Sequence, residues 1–155
     1  MKIGFDAKRA YQNFTGLGNY SRDLIEHLIK EYSNNEYFLF APKDSENSRL
    51  DFLSNYDNTY SIFPQNKLNK TFKGLWRTIN MEKSIIKNDV DIFHGLSNEI
   101  PRVKNKQIPY VVTIHDLIFK RFPTDVFYKI LYNERLIHYL AFLKYNIYIQ
   151  FFHNI

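Results

Sequence analysis

The chain has no cysteine among its 155 residues, so disulfide bonds and thiolate chemistry are excluded and a reducing compartment is allowed. It also lacks a long uninterrupted apolar run. The most apolar stretch, residues 136–152, contains Lys144, Asn146 and Gln150, which does not suit a membrane-spanning helix. The amino terminus lacks the apolar region and cleavage site of a signal peptide. We therefore expect a cytoplasmic protein, either free or peripheral to the inner face of the membrane.

The charge balance favours anionic ligands without indicating nucleic acid. There are 21 Lys and Arg against 16 Asp and Glu, a formal net charge of +5. This excess suits phosphate-bearing ligands or an anionic membrane surface. No compact Arg/Lys cluster or nucleic-acid motif accompanies it, so we expect no nucleic-acid partner. A hydrophobic content of 45% excludes disorder, and the length fits one domain with a real core.

Strand and helix patterns alternate along the chain. Apolar runs predict strands at 2–5, 37–41 and 60–63, and two more strands that end at His94 and His115. Helical spacing predicts helices at 19–32 and 67–88, and the polar segment 43–58 predicts a loop with a short helix. Such alternation is typical of a parallel, doubly wound sheet. We expect an α/β, Rossmann-like parallel sheet with helices on both faces.

Two histidines stand where predicted strands end, His94 before Gly95 and His115 before Asp116. Open α/β sheets bind ligands at the carboxyl ends of their strands, so both side chains are expected to face one cleft. Histidine suits hydrogen bonding to hydroxyls or phosphate oxygens, and an adjacent Asp can fix its tautomer. Taken singly, each histidine could equally be a structural residue. A metal site is not expected, because the two are far apart in sequence and no third soft ligand is evident.

The segment Gly16-Leu17-Gly18-Asn19 lies between the first strand and the first helix. Glycines there would let backbone amides approach a phosphate at the helix amino terminus, or would simply serve a tight turn. The segment is neither G-x-G-x-x-G nor a Walker loop. The basic helix at 67–88, which carries Trp76, likewise has two interpretations: a solvated face over a core stripe, or a peripheral contact with anionic lipid.

Four segments together resemble the amino-terminal domain of bacterial family 4 glycosyltransferases, and they occur in the same order: 2–6, Gly16-Leu17-Gly18-Asn19-Tyr20, Asp91-Ile92-Phe93-His94-Gly95 and Thr113-Ile114-His115-Asp116-Leu117. The resemblance covers residues 1–135. It implies the GT-B architecture, in which two Rossmann-like domains face a cleft. Such enzymes transfer a sugar from a nucleotide-activated donor, usually with retention, and need no metal or other cofactor.

The resemblance also implies roles for individual residues. His115 and Asp116 would be the catalytic pair, His115 at the transferred sugar and Asp116 orienting it. Residues 16–19 would approach the donor diphosphate or the acceptor across the cleft. His94 with Gly95, Ser97 and Asn98 would line the acceptor side, where a glycan or glycolipid binds.

The chain departs from the family in its second half. The family's donor domain carries a Glu-x7-Glu motif, and no Glu here is followed by another eight positions on. Residues 136–155 look like an atypical apolar and aromatic tail, as in a replaced or frameshifted end, where the family continues into a further strand. We therefore expect an acceptor-side domain with little or no activity alone.

Two alternatives stay open. The domain could be a non-catalytic binding module that completes its cleft with a separately encoded donor domain. It could also be an unrelated Rossmann-like nucleotide binder. The lack of G-x-G-x-x-G, and of a suitably placed acidic residue after the second strand, counts against the latter; Asp44 comes closest.

Overall fold

The computed structural model describes residues 1–45, 47–66, 71, 76–98, 100–102, 107–115 and 147–151. Its strands are β1 (Lys2–Asp6), β2 (Glu36–Phe40), β3 (Thr59–Ile62), β4 (Ile92–Gly95), β5 (Tyr110–Ile114) and β6 (Ile147–Phe151). Its helices are α1 (Lys8–Gln12), α2 (Gly16–Glu31), a 3-10 helix (Ser48–Asn55), a π-helical turn (Trp76–Asn80) and α3 (Met81–Lys87). The 3-10 helix confirms the short helix predicted within the polar segment 43–58.

The strands form one parallel sheet in the order β3-β2-β1-β4-β5-β6. The chain moves outward from β1 in one direction through β2 and β3, and from β4 in the other direction through β5 and β6. The order therefore reverses between β1 and β4, which is where open sheets of this type leave a crevice at their carboxyl edge. The doubly wound parallel sheet predicted from the sequence is confirmed.

The sixth strand lies in the segment that we expected to be an atypical tail. Residues 147–151 pair in parallel with β5, from Tyr110 opposite Ile147 to Ile114 opposite Phe151. A run rich in Ile and Tyr favours a strand, so this segment can extend the ladder without a recognisable motif. At least this part of the tail belongs to the sheet.

Side chains on the two faces of the sheet enter two separate cores. Since successive strand residues point to opposite faces, Leu39 packs beneath α1 and α2 while Phe38 and Phe40 face α3. The first core contains Phe5, Ala10, Ile25, Ile29, Tyr37 and Leu39. The second contains Phe40, Trp76, Met81, Ile85, Phe93 and Tyr110. Helices therefore cover both faces, as predicted.

The predicted helix at 67–88 is corrected within its described part. A π-helical turn at Trp76–Asn80 precedes α3, and its extra residue rotates the face that follows. Buried apolar positions consequently fall at Met81 and Ile85. Ile79 and Ile86, which a uniform helical period predicts on the same apolar face as Trp76, are 38% and 44% exposed. A uniform period of 3.6 residues could not foresee this shift.

The same correction bears on the predicted membrane contact. Trp76 is 2% exposed and packs in the core, so it is not an interfacial anchor. Most residues of 67–75 lie outside the described part of the chain, and a peripheral contact through the lysines of 67–88 stays a prediction. Within the described residues, no helix combines the length and apolar content that crossing a membrane requires.

Candidate functional site at the carboxyl edge of the sheet

A buried ion pair occupies the point where the strand order reverses. Asp6 ends β1 opposite Gly95 of β4, and its carboxylate accepts a hydrogen bond from Nε of Arg77 at 2.7 Å. Nη2 of Arg77 lies 2.6 Å from the same oxygen, and the two side chains are only 2% and 13% exposed. Two charge-assisted contacts from one guanidinium group to this oxygen neutralise a carboxylate that would otherwise be costly to bury. The centre of the crevice is therefore polar but carries no net charge from this pair.

His94 lies within β4 and contacts the neighbouring strand. Its Nε2 is 2.8 Å from Oγ1 of Thr113, a fully buried residue of β5, and its ring centroid is 6.0 Å from that of Phe5. Burial lowers the pKa of His94 from 6.5 to about 4. The imidazole is therefore neutral near pH 7 and can both donate and accept one hydrogen bond.

His115 follows β5 directly and is held at two atoms. Its Nε2 donates to the carbonyl oxygen of Leu96 at 2.8 Å, which requires the tautomer protonated on Nε2. Its backbone N–H donates to Oδ1 of Asn98 at 2.8 Å. Asn98 in turn donates its own N–H to the carbonyl of Thr113 at 2.9 Å and adopts a φ of 60°, a left-handed conformation that Asn tolerates. The loop after β4 thus fixes the position of His115.

Tyr20, in the first turns of α2, joins the two histidines. Its hydroxyl is 3.3 Å from Oγ1 of Thr113, and its ring meets the His115 ring edge-on, with centroids 4.9 Å apart at 86°. Burial raises the pKa of Tyr20, so the phenol stays protonated near neutral pH. Tyr20, His94, Thr113 and His115 are called the histidine cluster below. Tyr20 and Thr113 stand in two of the segments that resemble the family, but no role was predicted for either residue.

A simple signal could have found Thr113. Thr113 lies two residues before His115 in the strand predicted from the sequence, and residues two apart along a strand share a face of the sheet. Asp6 and Arg77 were also missed as a pair. An acidic residue at the end of a buried strand needs a cationic partner, but the pairing joins positions 71 residues apart and depends on the tertiary fold.

The predicted glycine loop is instead the first turn of α2, which begins at Gly16 rather than near Asn19. None of the described glycines has a positive φ, so the interpretation as a tight turn needing glycine is wrong. Gly18 is buried, and a Cβ there would lie 1.8 Å from the carbonyl oxygen of Asn13. Gly16 is exposed, and a Cβ there would meet nothing within 4 Å. Of these two glycines, only Gly18 is required by packing.

The amino terminus of α2 already has a side-chain acceptor. Oδ1 of Asn13 accepts from the backbone N–H groups of Thr15 at 2.8 Å and Gly18 at 3.2 Å. Oδ1 of Asn19 accepts from Arg22 at 2.7 Å and from Arg49 at 3.1 Å. Asn19 therefore gathers two guanidinium groups beside the first turn of α2. Positive charge from these arginines, rather than unpaired backbone N–H groups, would attract a phosphate near this turn.

The remaining residues predicted for the site lie in α2, at the end of β4 and in the loop that follows β4, except for Asp116. Leu17 is partly buried in α2, Gly95 pairs with Asp6 at the end of β4, and Ser97 is 5% exposed in the loop that follows. Asp116 lies outside the described residues. The structure thus brings His94, His115 and the loop after β4 together, and Tyr20 joins them to the helix that starts at Gly16. No group of three or more potential metal ligands occurs in the described part of the chain.

Comparisons with known proteins agree with this fold. The solved structure of dTDP-glucose 4,6-dehydratase from Bacillus anthracis in complex with NAD is similar to 97% of this chain, with a TM-score of 0.60 and 11% sequence identity. The chain spans about half of that protein, 53% of its length. At this identity the likeness shows the fold alone, which is the Rossmann-like α/β fold. No family model matches the chain, and no curated protein matches it in sequence.

Proposed function

We propose that this chain is the acceptor-side domain of a retaining, nucleotide-sugar-dependent glycosyltransferase of the GT-B architecture, similar to the family 4 enzymes. One observation carries the proposal. Residues from three separate elements, Tyr20 of α2, His94 of β4 and His115 after β5, converge at the carboxyl edge of the sheet beside its reversal point. Those elements include three of the segments on which the sequence resemblance rests.

The cluster has properties that suit sugar transfer. Transfer passes through an oxocarbenium-like state as a diphosphate leaves, so the site needs preorganised donors, acceptors and nearby positive charge. The Nε2 of His115 donates to the carbonyl oxygen of Leu96, so the ring is held in one orientation at the edge of the sheet. The Thr113 hydroxyl contacts both His94 and Tyr20, and the Tyr20 ring packs against His115. The guanidinium groups of Arg22 and Arg49, gathered by Asn19, supply positive charge next to Gly16.

A nucleotide-sugar ligand is compatible with this fold. The dehydratase of similar fold is named for a dTDP-sugar, which agrees with a nucleotide sugar as the donor here. In GT-B enzymes the donor is held by a second Rossmann-like domain, which the 155 residues do not include. The experiment must therefore supply that domain.

The test begins with the coding sequence beyond the Ile155 codon, translated in all three frames. A second Rossmann-like unit with Glu-x7-Glu would be joined in frame, and the joined protein assayed with labelled UDP-, dTDP- and GDP-sugars on a membrane-lipid extract. We expect transfer that His115→Ala lowers at least about a hundredfold, the scale of one acid–base or positioning group. His27→Ala serves as the matched control, because His27 is exposed on α2 and far along the helix from the cluster.

Two outcomes would contradict the proposal. One is transfer that His115→Ala leaves intact. The other is oxidation of a nucleotide sugar with bound NAD, which would make the chain a dinucleotide-binding domain. Against that second function stand the absence of G-x-G-x-x-G and the Asn13 side chain on the Gly18 amide.

A separately encoded donor domain is the alternative form of the same proposal. If no frame encodes a second unit, affinity purification of the chain from its own cells should recover a donor-domain protein. Transfer would then appear only when both chains are mixed. Purification that yields the chain alone, with no transfer by any mixture, would refute this form.

A further inference from the structure

A second concavity lies on the same edge of the sheet, outside the ends of β2 and β3. It has a volume of about 450 Å³, within the range of small-molecule sites. Tyr11 at the end of α1 and Ser61 of β3 form one wall. The other lining residues follow β2 in the chain: Asp44, Ser45, Asn47, Ser48, Leu50, Asp51 and Leu53. None of these residues belongs to the histidine cluster, and only Asp44 entered the sequence analysis, as the acidic residue nearest to a dinucleotide-binding pattern.

The walls of this cleft are fixed by hydrogen bonds. The Tyr11 hydroxyl bonds to Ser61, and the Ser45 hydroxyl donates to the Tyr11 carbonyl at 2.5 Å. Nδ2 of Asn47, a buried side chain, donates to the Ala10 carbonyl at 3.2 Å. These contacts attach the segment after β2 to the end of α1. A ligand entering the cleft would therefore meet a preformed surface, which lowers the entropic cost of binding.

The polar groups that line the cleft have unused hydrogen-bonding capacity. Oδ1 of Asp44 accepts the Ser45 N–H at 2.8 Å, and no bond to its second oxygen occurs within the described residues. The Asp51 carboxylate and the Ser48 hydroxyl, both in exposed residues of the 3-10 helix, make no side-chain hydrogen bond within that part of the chain. Leu50 and Leu53 add apolar surface beside them.

This combination selects a class of ligand. Two carboxylates accept strongly from hydroxyl groups and repel phosphates, so the ligand should be uncharged and rich in hydroxyls. Leucine side chains suit the C–H face of a ring. Both features fit a sugar ring without a phosphate.

We propose that the cleft formed by Tyr11, Asp44, Ser48, Asp51 and Ser61 binds an uncharged sugar unit of the acceptor glycan, beyond the unit that reacts at the histidine cluster. The assignment to an acceptor rests on the proposed function. The sugar site itself rests on the cleft. Its position on the same edge of the sheet lets one extended glycan reach both places.

Titration of the protein with methyl α-glucopyranoside, methyl α-galactopyranoside and methyl α-mannopyranoside, followed through backbone amide resonances, tests the site directly. We expect at least one glycoside to bind at millimolar concentration and to shift the amides of Ser45, Ser48 and Ser61. The double variant Asp44→Asn/Asp51→Asn should bind at least about tenfold more weakly, because charge-assisted hydrogen bonds are lost. Asp57→Asn, an exposed residue outside the lining, is the matched control and should bind as the wild type does.

Three outcomes would overturn the proposal: no glycoside binds, the double variant binds as tightly as the wild type, or adenosine or uridine occupies the cleft in preference to every glycoside. The last result would make it a nucleoside pocket. The assay needs no sugar transfer and is therefore independent of the transferase test. Glycoside binding by the chain, with no transfer by the joined protein or by any mixture with a donor-domain protein, would refute the proposed function and leave the sugar site standing.

Discussion

Replacing Gly18 by Ala tests whether the first turn of α2 is packed as tightly as the structure indicates. The added Cβ would lie 1.8 Å from the carbonyl oxygen of Asn13 and 2.6 Å from its carbonyl carbon. Both are backbone atoms, so no rotamer change relieves the clash. To restore ordinary van der Waals contact, α2 would have to move from the end of α1 by about 1.5 Å.

The expected magnitude combines two opposing terms. Overpacking against a rigid backbone costs about 3 kcal/mol. Replacing Gly by Ala recovers about 1 kcal/mol, because the unfolded chain loses conformational freedom and the native φ suits any residue. The net loss in the free energy of unfolding is then about 2 kcal/mol. With a urea dependence of about 2 kcal/mol per molar, the unfolding midpoint should fall by about 1 M.

Urea denaturation followed by far-ultraviolet circular dichroism measures this shift. Gly16→Ala is the matched control two residues away, because a Cβ there meets nothing within 4 Å. At an exposed first-turn position it should raise the free energy of unfolding by up to about 1 kcal/mol. Equal stability of the two variants would refute the close packing of α2 on α1, and so the explanation of Gly18.

Three further predictions concern the buried polar residues. His94 binds a proton below about pH 6.5 in the unfolded chain, but only below about pH 4 in the folded protein. The free energy of unfolding should therefore fall by up to about 3 kcal/mol as the pH drops from 6.5 to 4. His94→Gln should remove this part of the pH dependence of urea unfolding. Arg77→Met should lower the free energy of unfolding by about 3 kcal/mol, because it leaves the Asp6 carboxylate buried without its partner. Thr113→Val should cost about 1–2 kcal/mol by removing the hydroxyl that contacts His94 and Tyr20, and it should reduce transfer by the joined enzyme.

Each of these has an outcome that would contradict it. A pH profile that is the same in wild type and His94→Gln would mean that His94 titrates normally. Lys83→Met, an exposed change on α3, is the control and should alter the free energy of unfolding by less than about 0.5 kcal/mol. If Arg77→Met had an equally small effect, the ion pair with Asp6 would not stabilise the fold. A Thr113→Val protein of unchanged stability and activity would show that the hydroxyl bridge does not hold the cluster together.

The parallel α/β sheet could be predicted from the sequence alone, because a local pattern of residues marks most of its strands and helices. Continuous apolar runs ending at His94 and before His115 mark buried strands, and polar turns mark the crossings between them. The helix at 67–88 was predicted less well, since a π-helical turn at Trp76–Asn80 has no signature in the apolar period and rotates the buried face by one residue. The strand at 147–151 was missed because it pairs with β5, and each paired residue lies 37 positions earlier in the chain, as Tyr110 does from Ile147 (147 − 110 = 37).

The candidate site was likewise predicted only in part. His94 and His115 could be singled out because each residue type and its place at a strand end are visible in the sequence. Their common contact through Thr113 and Tyr20, and the pairing of Asp6 with Arg77, were decided only by tertiary structure. Such contacts join residues up to 93 positions apart, and no local pattern encodes a partner at that distance. The sequence by itself determined which chemistry reaches the carboxyl edge of the sheet. The fold decided which side chains meet there, because strand order and helix packing set distances that residue spacing does not.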